Sequence, residues 1–80
     1  MKKTAEIKAR NVIGRRLRQI RLSKNPEVTL EDLSGRMAAR GITLDRSAIG
    51  RIEHQNRYVL DYELRALADA LKIEISDFFV

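Results

Sequence analysis

Eighty residues with 44% hydrophobic side chains, no Cys, no Trp and one Pro make one small domain, which must be held by packing alone, without disulfides or a thiolate metal site. The formal charge of +5 is unevenly spread: residues 1–24 carry nine cations and one anion, a net of +8, and the other 56 residues net −3. Size excludes a two-lobed enzyme, and the lack of any run near the ~18 apolar residues of a membrane span, or of an apolar signal core after Met1-Lys2-Lys3, leads to the expectation of a cytoplasmic protein.

The basic excess points to a polyanionic partner, nucleic acid or an anionic membrane face, unless it is simply a solvated surface. Residues 1–11 read either as a basic, frayed arm or as an extra helical turn, with Thr4 and Asn11 as candidate caps. Ile13, Leu17 and Ile20 form one stripe of a first helix from about Asn11 to Lys24, with Arg15, Arg16 and Arg18 on other faces. Asn25-Pro26-Glu27-Val28 breaks the pattern.

Thr29-Leu30-Glu31-Asp32 fits a capping box ahead of the stripe Leu30, Leu33, Met37, and Gly41 is a natural left-handed stop for this second helix. Asp45 caps a third, Arg46 to about Gln55, whose inward positions are Ala48, Ile49 and Ile52, and Asn56 is the residue expected to end it. Asp61 caps a fourth helix with the stripe Leu64, Leu67, Ala68, Leu71, and Ser76 caps a last short turn carrying Phe78 and Phe79. The expectation is an all-α, compact five-helix domain over residues 12–80 behind the arm. Tyr58, Tyr62, Phe78 and Phe79 are expected to close its core rather than stack on bases.

Ordered blocks carry more than periodicity. Ile13-Gly14-Arg15-Arg16-Leu17-Arg18-Gln19-Ile20-Arg21, Thr29-Leu30-Glu31-Asp32-Leu33, Arg46-Ser47-Ala48-Ile49-Gly50-Arg51-Ile52-Glu53, Leu64 to Leu71 and Ser76-Asp77-Phe78-Phe79 resemble the lambda-repressor-like helix-turn-helix DNA-binding domain (Cro and repressor, xenobiotic-response-element type) over residues 12–79. The resemblance implies a sequence-specific transcriptional regulator, a repressor, binding double-stranded DNA as a homodimer on an inverted repeat, with the helix starting near Arg46 in the major groove. Arg46, Ser47, Gly50 and Arg51 would then meet base edges, while Thr29, Asn56 and Arg57 would meet phosphates. It also implies a structural salt bridge between Arg21 and Glu53.

The chain departs from the family in three places. Leu30 stands where the family often has Gln, the Asn25 to Val28 loop is longer than usual, and the segment from Met37 to Leu44 exceeds the usual turn by roughly one helical turn. Asp45 also puts a carboxylate where a phosphate could lie.

His54 is the only His, so it founds neither a metal nor a catalytic site. With no Ser, His and Asp set and no glycine-rich phosphate loop, no enzyme, cofactor or small-molecule ligand is expected. The competing reading is an antitoxin-like or adaptor module on the same fold, binding protein through Tyr58 to Tyr62 or Phe78-Phe79-Val80. A membrane-surface helix from residues 1–24 would have too few large apolar residues to anchor.

Overall fold

Local capping chemistry sets where most of the helices begin. The computed structural model describes residues 9–80 and contains four α-helices, α1 (Gly14–Ser23), α2 (Leu30–Ala39), α3 (Arg46–Glu53) and α4 (Asp61–Leu71), followed by a 3-10 turn, Ile75–Phe79. The fold is all-α among the described residues. The expected fifth helix is only this 3-10 turn: Phe78 anchors it in the core, but five residues are too few for a run of i→i−4 bonds.

α1 starts later than its apolar pattern suggests. Asn11 stays outside the helix, its Oδ1 accepting the N–H groups of Ile13 (3.1 Å) and Gly14 (2.8 Å) while its amide donates to the carbonyls of Ile52 and Arg57. Arg10 N–H also donates to the Gln55 carbonyl, so the expected arm is tied down by Arg10; its residues 1–8 lie outside the described residues. Gly14 has a steric reason to be glycine, because a Cβ there would overlap the Ile52 carbonyl where α1 crosses the end of α3.

α2 opens on the capping box foreseen from its sequence, Thr29 Oγ1 accepting from Asp32 N–H and the Asp32 carboxylate accepting from Thr29 N–H. α3 opens on Asp45, whose Oδ1 accepts from Ala48 N–H at 2.8 Å. α4 differs from expectation: Asp61 is its first residue, not its cap, and the Leu60 N–H donates to Glu63 Oε1. The 3-10 turn likewise begins after Glu74, whose N–H donates to Asp77, so Ser76 is not its cap.

Three helices end the same way. At α2, Ile42 N–H donates to the Met37 carbonyl and Gly41 N–H to that of Ala38; Asn56 and Gln55 do the same at α3, onto Arg51 and Ile52; Ile73 and Lys72 do it at α4, onto Ala68 and Asp69. Each is the paired bonding of a Schellman end, which needs one left-handed residue, and these are Gly41 (φ 79°), Gln55 (φ 63°) and Lys72 (φ 59°). Gln55, not Asn56, therefore turns the chain after α3.

One core joins these pieces, built on Leu17, Leu33, Met37, Ile49, Ile52, Leu67, Leu71 and Phe78. α3 packs against both α1 and α2, while α4 packs on α2 and the 3-10 turn. Three aromatics expected in the core are outside it: Tyr58, Tyr62 and Phe79 are 65%, 58% and 57% exposed, and only Phe78 is buried. The tyrosines sit where the α3–α4 loop runs onto the outer face of α4, and Val59 packs inward in their place.

Candidate nucleic-acid interface

An eight-residue helix with three inward apolar side chains leaves a broad face uncommitted to the core. At 100° per residue, Arg46, Ser47, Gly50, Arg51 and His54 span about 140° of the α3 surface. None of the five is buried, and among the described residues neither Arg46 nor Arg51 makes a side-chain hydrogen bond or ion pair. Gly50 faces open space, with nothing within 4 Å of a Cβ built there. Glycine weakens a helix interior by about 0.5 to 1 kcal/mol, and no contact among the described residues explains it here.

The other arginines show what engagement looks like. Arg16 donates to the Asp77 carbonyl, Arg36 to that of Ala70, Arg40 to those of Arg36 and Asp69, and the Arg10 guanidinium lies 5.4 Å from the Tyr58 ring centroid. Arg21 is buried with Glu53: its Nε donates to Oε2 at 2.7 Å, one terminal nitrogen to Oε1 at 2.9 Å and the other to the Val28 carbonyl at 2.9 Å. The pair named from the sequence thus joins α1, the α1–α2 loop and the last residue of α3, which fixes how α3 is presented. Arg18 approaches the same carboxylate only at 3.9 Å from an exposed position.

Of the three residues expected to meet phosphate, Arg57 and Thr29 are engaged within the protein, while the Asn56 side chain is exposed and makes no hydrogen bond among the described residues. The Arg57 guanidinium is spent inside the protein, donating to the Glu63 carboxylate at 2.9 and 3.2 Å and to the Tyr58 carbonyl at 2.8 Å. The Glu63 hydrogen bonds raise Arg57 above the ordinary arginine value against the opposing effect of burial. Burial pushes the Glu63 carboxyl up, but the Arg57 hydrogen bonds, the Leu60 N–H and the Arg57 charge together outweigh it and hold Glu63 below the usual glutamate range.

The Thr29 hydroxyl is engaged with Asp32, whose carboxyl is held below its ordinary value by the Thr29 N–H and hydroxyl. Asn56 is exposed, with its N–H committed to the end of α3.

Two grooves flank α3. One, of about 620 Å³, lies against α2 and is lined by Glu27, Thr29, Leu30, Glu31, Arg46 and Ser47 among others; it brings three of the four expected base-edge residues, Arg46, Ser47 and Gly50 but not Arg51, beside the α2 N-terminus. The other, of about 450 Å³, lies against α1 and is lined by Arg15, Arg18, Gln19 and Leu22 with Glu53, His54 and Gln55. The second groove and the Glu63 tie were not foreseen from the sequence. Arg15, Arg18, Gln19 and Leu22 do stand at i, i+3, i+4 and i+7, the spacing of one helix face, which is the signal that could have found the groove.

Among the described residues no group of three or more His, Cys, Asp and Glu side chains could hold a metal ion, and no helix is long and apolar enough to cross a membrane. Comparison of the chain with models of protein families, with curated proteins and with solved structures finds no match to it.

Proposed function

We propose that this chain is a lambda-repressor-like helix-turn-helix domain that binds double-stranded DNA in a sequence-specific way, as a transcriptional repressor, with α3 in the major groove. The observation that carries this reading is the α3 face itself: two arginines without partners among the described residues, a serine and a glycine open to solvent, on a helix whose opposite side is locked to α1 and α2. Arg suits guanine O6 and N7. Gly50 lets a base edge or sugar come close to the helix backbone.

Selection from a random duplex pool tests the proposal. A recovered consensus supports it, and recovery of no preferred sequence overturns it. On that consensus, Arg46→Ala and Arg51→Ala are expected to lose about 1 to 3 kcal/mol and relax preference at one position each, with little change on random DNA. Gly50→Ala is expected to stabilise the fold by about 0.5 to 1 kcal/mol while weakening binding to the consensus.

We further propose that two copies occupy an inverted repeat, meeting through the exposed apolar side chains Val12, Phe79 and Val80. Sedimentation of the protein–DNA complex is expected to show two copies per site; one copy per site would overturn this part.

The exposed Tyr58, Leu60 and Tyr62 favour the second reading, a protein-binding module, since such side chains are enriched where proteins meet. On that reading Tyr58→Ala and Tyr62→Ala would abolish partner capture, and the selection would yield no consensus.

A further inference from the structure

A helix lying in the major groove has a phosphate strand on each side, about 12 Å apart across the groove, so each flank of α3 faces one strand. The two flanks differ in charge. The α2 flank presents Glu27 and Glu31 with Arg46, and Asp32 and Asp45 cap the two helices that meet there. Helix N-termini attract anions, but the positive end of α2 already carries Glu31 and Asp32 in its first turn, and the Asp32 N–H is taken by Thr29. A phosphate at that end could still reach the N–H groups of Leu30 and Glu31, which have no partner among the described residues, but only with two carboxylates beside it.

The α1 flank is the reverse. Arg15 and Arg18 are exposed on the wall of the α1–α3 groove with Gln19 beside them and His54 opposite on α3. The one carboxylate lining this groove among the described residues, Glu53, is buried and already takes two hydrogen bonds from Arg21. Arg15 makes no hydrogen bond or ion pair among the described residues, and the 3.9 Å approach of Arg18 to Glu53 leaves its donors free.

We propose that the phosphate backbone is gripped on the α1 flank, by Arg15 and Arg18 with Gln19 and His54 as further donors. The proposal rests on the DNA-binding reading above and assigns it a footprint: the strand beside α1 is held by charge, and the strand beside α2 lies against a flank where carboxylates offset the helix N-terminus.

The experiment is a duplex-binding titration by fluorescence anisotropy over a salt series from about 50 to 300 mM, reading the slope of log K against log salt, whose magnitude falls by about 0.9 for each phosphate that is no longer neutralised. Arg15→Gln with Arg18→Gln is expected to lower the slope by about 2. Arg15→Lys with Arg18→Lys keeps the charges and is expected to restore most of it. Arg65→Gln with Lys72→Gln removes the same net charge from positions on and just after α4, an element that packs on α2 and the 3-10 turn, and is expected to leave the slope unchanged.

Equal reductions in the α1 and α4 variants would show a net-charge effect and overturn the site. An unchanged slope in the α1 variant, with wild type binding normally, would overturn the site while leaving DNA binding intact. Failure of wild type to bind any duplex would overturn both readings. Since Arg15 and Arg18 are exposed, unchanged thermal midpoints are expected and separate a weakened grip on DNA from a damaged fold.

Discussion

Arg21 and Glu53 are 9% and 4% exposed at their side chains, and a charge moved that far from water carries a large desolvation cost. The fork geometry offsets it: two parallel N–H···O bonds to one carboxylate, and the third donor direction filled by the Val28 carbonyl, leave no buried side-chain nitrogen or oxygen unpaired among the described residues. The arrangement resists change at either partner more than removal of both. Arg21→Met or Glu53→Gln alone is expected to destabilise by about 3 to 5 kcal/mol, because one charge is stranded, whereas the double change to apolar residues is expected to cost much less. A double-mutant cycle on urea unfolding measures the coupling. Additive effects below about 1 kcal/mol would mean that the pair is solvated and does not orient α3.

The helix ends show how local and tertiary information divide. All three Schellman ends require a left-handed residue, yet only α2 supplies glycine. At α3 the strained residue is Gln55, and its side chain gives a reason, donating to the Asn11 carbonyl at 3.1 Å and so helping to fix the start of α1. Lys72 is exposed and makes no side-chain hydrogen bond or ion pair among the described residues, so nothing there offsets the left-handed backbone, which costs an L-residue about 1 to 2 kcal/mol. Lys72→Gly is expected to raise stability by about 1 kcal/mol once the added freedom of the unfolded chain is subtracted, read as a higher urea midpoint at unchanged slope.

The same division explains what could be read before the fold was known. The Thr29–Asp32 box, the Asp45 cap and the Gly41 stop lie within three residues of their partners, so they were visible in the sequence. Asn11 binds across to Ile52 and Arg57, and Arg57 is drawn from the expected phosphate contacts to Glu63 by the path of the loop; neither follows from spacing along one helix. The exposed face of α3 was legible from periodicity alone. The charge difference between its flanks was not, since it depends on which helices stand beside it.

Among the described residues a single apolar cluster links every helix, so a group that titrates in one corner registers in global unfolding. Glu63 is the group to watch. It is nearly fully buried at the start of α4, holds the Leu60 N–H and Arg57, and thereby clamps the loop that leaves α3. In the unfolded chain its carboxyl has the ordinary value of 4.5, and in the folded chain it lies lower. Between those two values the unfolded chain takes up a proton that the folded chain refuses. The stabilisation from this group is therefore complete above about pH 4.5 and is lost as pH falls through the folded value. Other carboxylates add their own acid dependence, so the informative quantity is the difference between wild type and Glu63→Gln. Urea midpoints from about pH 6 down to about pH 3 are expected to fall more steeply for wild type, so that the gap between the two curves narrows below about pH 4.5. Parallel curves over that range would mean that Arg57 does not hold the carboxylate in solution, and the loop that leaves α3 would then be held by the Asn11 and Gln55 bonds, toward α1 rather than α4.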